Sequence, residues 1–321
     1  MAETVKTNAP GWAEASAAAG ADMRVNLAGI ELANPVMPAS GTYGYGMEYK
    51  ELYDLNLLGA LVTKSVTLEP RYGNQLPRIA ECTSGMLNSI GLQNPGIEHY
   101  MKEDIPALRE IYHGPIVSNV SEFSVDGYAE AVRRLTAMDE IDMFEINISC
   151  PNVHHGGSSF GADPVLAEKI TKACRAATDK PLFMKLTPNV TSIAEIAKAC
   201  EAGGADGISL INNFKAMRID LKTRKTITSE KYAGLSGPAI RPIAMRMVNE
   251  VFHAVDLPII GIGGIQTADD VLEMIMAGAT AIEVGSANLI DPWVCPDIIR
   301  NLPKRMAELG ISNLNEIRGV V

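Results

Sequence analysis

One cysteine of the sequence stands where a thiol could do chemistry. Cys150 lies in NISCPN (147–152), at the end of an apolar stretch that favours a β-strand, and Pro151 directs the chain away from that strand. A thiol with a pKa of about 8.5 can act as a base towards a carbon acid beside a carbonyl, or as a nucleophile. We expect His154 and His155 to be loop residues, because no carboxylate or cysteine lies at ligand spacing. The pattern alone leaves the role of Cys150 open.

Other apolar, β-rich segments also end in polar residues. A polar side chain at the C-terminal end of a barrel strand either faces water or belongs to a site. Each one alone is compatible with a solvated strand end, but together they are predicted to converge on one mouth. They are Lys64, Ser65, Asn119, Asn147, Lys185, Asn212 and Asn213.

Two glycine-rich turns predict a phosphate site. GIGGI (261–265) precedes a helix that opens with TADD, and VGSA (284–287) ends the last β-rich segment. Backbone amides in such turns can face an anion, and the last two strands of a (β/α)8 barrel often carry a phosphate. The pattern is not the GxGxxG of a dinucleotide fold, which follows the first strand of an open sheet.

The elements that must position these residues alternate between strand and helix. Apolar residues at helical spacing fill the intervening segments, and the strands are apolar on both faces, as in a parallel sheet that is covered on both sides. Eight such units predict a closed (β/α)8 barrel. The predicted strands are 36–40, 60–66, 115–120, 143–149, 181–187, 207–213, 258–264 and 281–286.

Three further segments complete the predicted architecture. The stretch MRVNLAGIELANP predicts a short β-hairpin around Ala28 and Gly29. Two long connections, 69–94 and 214–237, follow strand C-termini, where the active-site loops of a barrel gather. We expect residues 1–22 to be a flexible leader and residues 23–321 to be a single domain.

Composition excludes several classes of protein. The chain has 321 residues and a net charge of −10, which disfavours nucleic acid as a partner. No apolar run reaches the roughly 18 residues of a membrane span, and the N-terminus lacks the pattern of a secretion signal, so we expect no membrane attachment and a cytoplasmic protein. The five cysteines are scattered singly, which predicts neither a disulfide framework nor a structural metal.

Taken in order, the motifs resemble those of the dihydroorotate dehydrogenases from about Met23 to Gly310. A series of this kind is far more specific than any single motif. The motifs are TKSVT (63–67), GMLNSIGLQNPG (85–96), NISCPN (147–152), MKLTPNV (184–190), GLSGPAIRP (234–242), GIGGI (261–265) and VGSAN (284–288).

The resemblance implies a (β/α)8 barrel with FMN across its mouth and dihydroorotate stacked on the flavin. The FMN contacts that it implies are Ser40, Lys64, Ser65, Asn119, Asn147, Lys185, Ile211, Gly237, Gly263, Gly264, Gly285 and Ser286. The substrate contacts that it implies are Lys64, Asn88, Ser89, Ile90, Gly91, Leu92, Asn147, Asn152, Asn212 and Asn213. Asparagines suit the ring amides and carbonyls of orotate, and a lysine suits its carboxylate.

The resemblance also implies a mechanism. Cys150 removes a proton from C5 of dihydroorotate while hydride leaves C6 for N5 of FMN, in a step of pyrimidine (UMP) biosynthesis. Lys185, near N1 and O2 of the flavin, would stabilise the anionic reduced form. A cysteine in this place is similar to the soluble class 1 enzymes, whereas the membrane-associated class uses serine.

Within class 1, the sequence resembles the NAD-dependent form, class 1B. The catalytic chain of that form pairs with an electron-transfer subunit that carries FAD and a 2Fe-2S cluster, which implies a heterotetramer of two catalytic and two electron-transfer chains. This sequence has neither a cysteine cluster nor a second nucleotide motif, so its electrons would leave through the partner. The fumarate-dependent class 1A enzyme remains an alternative.

Other interpretations are weaker. A dihydropyrimidine dehydrogenase-like flavoenzyme usually has histidine where this chain has Asn152. A phosphate-binding aldolase with a Schiff-base lysine, or a flavin protein without turnover, leaves Cys150 or the asparagines without a role. The sequence departs from the family pattern in two places, of which the first concerns the substrate side. Asn213 and Ala216 replace the usual Thr or Ser and Gly, and Cys82 lies in a loop that usually contains proline.

Overall fold

A computed structural model describes residues 20–149 and 160–321. In chain order, the strands of this part are β1 Val25–Leu27, β2 Ile30–Leu32, β3 Val36–Pro38, β4 Leu61–Val62, β5 Ile79–Cys82, β6 Gly85–Asn88, β7 Ile116–Val120, β8 Met143–Asn147, β9 Leu182–Leu186, β10 Gly207–Leu210, β11 Phe214–Ala216, β12 Ile219–Asp220, β13 Lys225–Thr226, β14 Ala233–Ser236, β15 Ile259–Ile262 and β16 Ala281–Val284.

The helices of this part alternate with the barrel strands. They are α1 Ile97–His99, α2 Ile105–Arg109, α3 Val125–Thr136, α4 Pro164–Arg175, α5 Ile193–Ala202, α6 Arg241–Phe252, α7 Ala268–Met276, α8 Ala287–Ile290 and α9 Val294–Glu308, with a π-helical turn, Tyr100–Asp104, joining α1 to α2.

The main sheet has eight parallel strands in the order β3-β16-β15-β10-β9-β8-β7-β4. Its two ends meet, because the Gly59 N–H just before β4 donates to the Val36 carbonyl of β3 at 3.0 Å. A Cβ on Gly59 would lie 2.0 Å from the Asn34 carbonyl oxygen, so only glycine permits this approach. The predicted (β/α)8 barrel and all eight of its strands are confirmed.

Local chemistry explains where the outer helices begin. Ser124, Asp163 and Ser192 each accept hydrogen bonds from backbone N–H groups of the helix that follows, and Thr267 forms a capping box with Asp270 at the start of α7. The helices bury one face against strands that are buried along their whole length. The barrel therefore has the two-layer core that its sequence pattern predicts.

The N-terminal hairpin is confirmed. β1 and β2 pair antiparallel around Ala28 and Gly29, both of which have positive φ. Val25, Leu27 and Leu32 belong to the core. Residues 1–19 of the predicted leader lie outside the described residues, and the predicted extent of the domain stays a prediction.

The two long connections do not remain separate loops. They form one antiparallel sheet in the order β11-β14-β6-β5, in which β5 and β6 come from the first connection and β11 and β14 from the second. Asn88 stands opposite Gly234 in this sheet. No helix within the described ranges is long and apolar enough to cross a membrane.

Candidate active site

The barrel brings the predicted polar residues to one end. Apart from Gly237, which follows β14, the predicted flavin contacts lie on or just after barrel strands. They are Ser40 after β3, Lys64 and Ser65 after β4, Asn119 on β7, Asn147 on β8, Lys185 on β9, Ile211 after β10, Gly263 and Gly264 after β15, and Gly285 and Ser286 after β16. Their binding roles stay predictions.

A small cavity lies where the glycine turns meet. It is lined by Gly237, Pro238, Gly264, Ile265, Gln266, Gly285, Ser286 and Ala287. Within residues 20–149 and 160–321, nothing accepts a hydrogen bond from the backbone N–H groups of Gly264, Gly285 or Ser286. Amides without an acceptor at a glycine-rich turn suit an anion such as a phosphate monoester.

The glycines of this cavity differ in what a side chain would meet. A Cβ on Gly264 would lie 2.7 Å from the Arg241 Cβ, and the φ of +72° at Gly264 also disfavours any other residue. A Cβ on Gly285 would meet only the Ala39 Cβ, at 4.0 Å. The space beside Gly285 is therefore open, and the residues present fit a phosphate group such as that of a flavin mononucleotide.

Lys185 lies in a buried cluster with two glutamates. Its Nζ donates to both carboxylate oxygens of Glu145, at 3.1 and 3.0 Å, and to Oε2 of Glu283 at 2.9 Å. Both glutamate side chains are 0% exposed. Burial would lower the pKa of Lys185, but the two carboxylates hold it above its ordinary value, so Lys185 is a cation.

A chain of polar side chains leads from the mouth to this cluster. The Ser65 hydroxyl donates to Asn119 Oδ1, and Asn119 Nδ2 donates to Glu145 Oε2. Ser65 and Asn119 are buried. Because each donor has an acceptor, these side chains are held in fixed orientations.

Lys64 is half-buried, and no described carboxylate forms an ion pair with it. Burial lowers the pKa of Lys64, and the nearby Arg78 guanidinium lowers it further. Arg78 also donates to the Ile90 carbonyl at 3.5 Å. A partly desolvated cation on which a second cation acts, with no carboxylate to balance it, favours the binding of an anionic ligand.

The predicted asparagines form two groups. Asn212 Nδ2 donates to Asn147 Oδ1 at 3.1 Å, which joins the ends of β8 and β10. Asn213 packs against Gly234, and Asn88 Nδ2 approaches the Gly234 carbonyl at 3.4 Å. The structure thus places amide groups on two sides of the mouth, where each can both donate and accept.

The segment from Asn88 to Leu92 is held by hydrogen bonds from Asn74, which lies earlier in the same long connection. Asn74 donates through its side chain to the Ser89 carbonyl at 3.0 Å and through its backbone to the Ile90 carbonyl at 3.0 Å. Gly91 and Leu92 both have positive φ, which turns the chain sharply at this point. The Ser89 hydroxyl is buried and has no partner among the residues described.

Sequence reasoning missed Glu145, Glu283, Arg78 and Asn74. The two glutamates stand inside apolar strand segments, where a charge must find a buried partner, and this was the signal that could have revealed them. Cys150 and Asn152, the predicted base and one predicted substrate contact, lie outside the described residues, as do His154 and His155. No group of three metal-binding side chains is found in the described part.

The fold and the mouth place this protein among (β/α)8 barrels that carry a backbone amide cradle after their last two strands. Comparison with known proteins narrows that class. The family model for dihydroorotate dehydrogenase matches residues 22–306, and the chain belongs to the dihydroorotate dehydrogenase family. Membership of this family implies a flavin cofactor.

Individual relatives support the same assignment over nearly their whole length. The protein named dihydroorotate dehydrogenase B (NAD(+)), catalytic subunit, from Listeria innocua is 51% identical over 296 residues, which cover 92% of this chain and 97% of that protein. Proteins of the same name from Anoxybacillus flavithermus and Enterococcus faecalis are each 50% identical, over 92% of this chain and 95% of each relative.

Proposed function

We propose that this chain is the catalytic subunit of an NAD(+)-dependent dihydroorotate dehydrogenase, which oxidises (S)-dihydroorotate to orotate in de novo pyrimidine biosynthesis. Its relatives bear that name at about half identity over almost the whole chain. The structural observation that carries the proposal is the half-buried Lys64, whose pKa is lowered by burial and by the charge of Arg78 and which has no described anion beside it. An anionic substrate compensates such a charge.

The substrate carboxylate separates this proposal from the dihydropyrimidine alternative. Dihydrouracil and dihydrothymine lack a carboxylate, and binding either one would leave the half-buried Lys64 without a counter-charge. Dihydroorotate supplies that charge, and its ring amides and carbonyls can pair with Asn88, Asn147, Asn212 and Asn213. Asn213 and Ala216, which depart from the family pattern, lie on the β11 side of this pocket.

FMN is the proposed cofactor. Its phosphate is held by the backbone amides of Gly264, Gly285 and Ser286, with Gly237 and Gly263 closing the cradle. Lys185 and Asn119 hold its ring system together with Ser40, Ser65, Asn147 and Ile211. When bound, FMN supplies the hydride acceptor for C6 of the substrate.

The proposed residues divide the chemical work. Cys150 removes the C5 proton, a role that rests on the NISCPN motif and on family membership. Asn147 and Asn212 hold each other and orient the ring, while Lys64 fixes its carboxylate. The segment 88–92, braced by Asn74, covers the substrate and excludes water.

Electrons leave through a partner subunit in this proposal. The relatives are named catalytic subunits, which implies a second chain in their complexes. We assign FAD and a 2Fe-2S cluster to that chain and a heterotetramer with two copies of each chain. A cytoplasmic location stays a prediction.

Anaerobic mixing tests the proposal directly. Purified chain with bound flavin is mixed with dihydroorotate, and in parallel with dihydrouracil, while the oxidised-flavin absorbance is followed. Bleaching by dihydroorotate alone supports the assignment. Bleaching by dihydrouracil points to the dihydropyrimidine reaction, and a colourless chain that FMN cannot reconstitute refutes the flavin assignment. Reoxidation by fumarate without a partner would identify the class 1A reaction.

A further inference from the structure

The cluster around Lys185 contains one carboxylate more than its single ammonium can balance. Glu145 and Glu283 both contact Lys185 Nζ, and neither carboxylate reaches solvent. The charged groups that act on Glu283 are Glu145 from β8 and Lys185 from β9, and its register neighbours on β3 and β15, Met37 and Ile262, are apolar. Two ionised carboxylates here would leave one buried negative charge uncompensated, which is strongly unfavourable.

The hydrogen bonds indicate which carboxyl group holds a proton. Glu145 accepts from Lys185 at both oxygens and also from Asn119 Nδ2. Glu283 accepts from Lys185 at Oε2 only, and its Oε1 is buried without a donor among the described residues. A protonated Glu283 needs no donor at Oε1, because the carboxyl O–H can itself donate, and the Glu145 carboxylate that shares Lys185 with it is the acceptor beside it.

We propose that Glu283 is un-ionised and donates a hydrogen bond to Glu145, and that it is thereby a positioning residue which holds Lys185 in place and keeps the cluster neutral. The pair then carries one negative charge, which Lys185 balances. Lys185 Nζ donates to carboxylates on both β8 and β16, which fixes its ammonium between these strands. An ionised Glu283 would repel the negative charge of reduced FMN, whereas an un-ionised Glu283 does not. This consequence for the flavin rests on the proposed function.

Glutamine at position 283 imitates the proposed state. In Glu283→Gln the amide N–H₂ can donate to Glu145 while the amide oxygen accepts from Lys185, so every group keeps a partner. Glu145→Gln is the matched control, because its amide N–H₂ would face the donors of Lys185 and Asn119. We expect Glu283→Gln to fold with native stability or better and Glu145→Gln to be clearly less stable.

The apo chain tests the shared proton without any flavin. A native-state pKa of Glu283 above its unfolded value of about 4.3 means that its contribution to stability is fully present below that pH and is lost as pH rises. The unfolding constant of the wild type relative to Glu283→Gln should therefore rise about tenfold per pH unit across the neutral range. Urea unfolding of both apo chains measures this ratio, and parallel pH profiles would overturn the proposal.

The flavin-loaded chain tests the positioning role. At neutral pH the midpoint potential of bound FMN should be the same in the wild type and in Glu283→Gln. At alkaline pH, as Glu283 ionises, the potential of the wild type should fall below that of the variant. A higher potential in the variant already at neutral pH would show an ionised Glu283 and overturn the proposal. If the chain binds no FMN, the proposed function and the effect of Glu283 on the flavin are both contradicted. The pH profiles of the apo chains still decide whether Glu283 holds a proton.

Discussion

Replacing Lys64 by methionine separates substrate binding from folding. Methionine has nearly the volume of lysine and carries no charge, so Lys64→Met removes the half-buried ammonium without leaving a cavity. The structure shows no anion beside Lys64 in the described part, and the only charged neighbour that shifts its pKa is another cation, Arg78. The charge therefore does not stabilise the apo fold, and a role in binding an anionic ligand is the one that we propose for it.

The expected loss of orotate affinity follows from burial of the pair. Truncating one partner of a buried, hydrogen-bonded charge pair costs about 2–5 kcal/mol, which corresponds to a roughly 30-fold to several-thousand-fold weaker Kd. The folding stability of the apo chain should instead increase in Lys64→Met. A lowered pKa at Lys64 means that its contribution to stability is present above the unfolded value of about 10.4 and is lost as pH falls through the native value, so the charge destabilises the fold at neutral pH.

Two titrations check this prediction. Orotate affinity is measured from the perturbation of the flavin spectrum, and apo stability from urea unfolding at neutral pH, with the exposed Lys50→Met as the control. Affinity in the wild type should also fall as pH rises through the lowered pKa of Lys64, and this limb should be absent from Lys64→Met. Two results would show that the reasoning is wrong. The first is an orotate affinity of Lys64→Met within about threefold of the wild type, since loss of a buried charge pair should weaken binding far more. The second is an apo chain of Lys64→Met that is less stable than the wild-type apo chain.

Three further changes test the cradle, the base and the second cation. Gly285→Ala should leave apo stability unchanged but weaken FMN binding about tenfold or more, as the loss of one charge-assisted hydrogen bond predicts. Gly264→Ala should instead destabilise the apo chain, because Gly264 has a positive φ and no room for a side chain. Equal effects of the two variants in urea unfolding and in FMN titration would contradict the cavity geometry. Cys150→Ala should keep FMN and lose most turnover, and Cys150→Ser should retain a fraction of turnover at higher pH; near wild-type turnover in the alanine variant rules out the proposed base. Arg78→Met should raise the pKa of Lys64, so the fall of orotate affinity at alkaline pH should move to higher pH. If this fall stays at the same pH, Arg78 does not act on Lys64.

The barrel and the cradle could be predicted because both depend on local pattern. Continuous apolar runs give buried parallel strands, and glycines after the last two strands have few other uses at that end of a barrel. Lys185 was correctly placed on a strand of the mouth, but its partners were not found. Glu145 and Glu283 lie 40 and 98 residues from it along the chain, and only barrel closure brings them together.

The approach of Arg78 to Lys64 was beyond prediction for a different reason. Arg78 belongs to the first long connection, whose position depends on the pairing of β6 with β14. Strand pairing across loops is set by register and tertiary packing, which short-range propensity does not encode. The same pairing places Asn88 opposite Gly234, the residue against which Asn213 packs.

That pairing also fixes when the mouth can be completed during synthesis. β6 leaves the ribosome long before its partner, since Asn88 must wait for Gly234, 146 residues later in the chain. Until then the segment 88–92 has no strand beside it on that side. A nascent chain can therefore form the first strands of its barrel, but the mouth is complete only after β14 has emerged. The glycines of the amide cradle, Gly264 and Gly285, follow β14 in the chain.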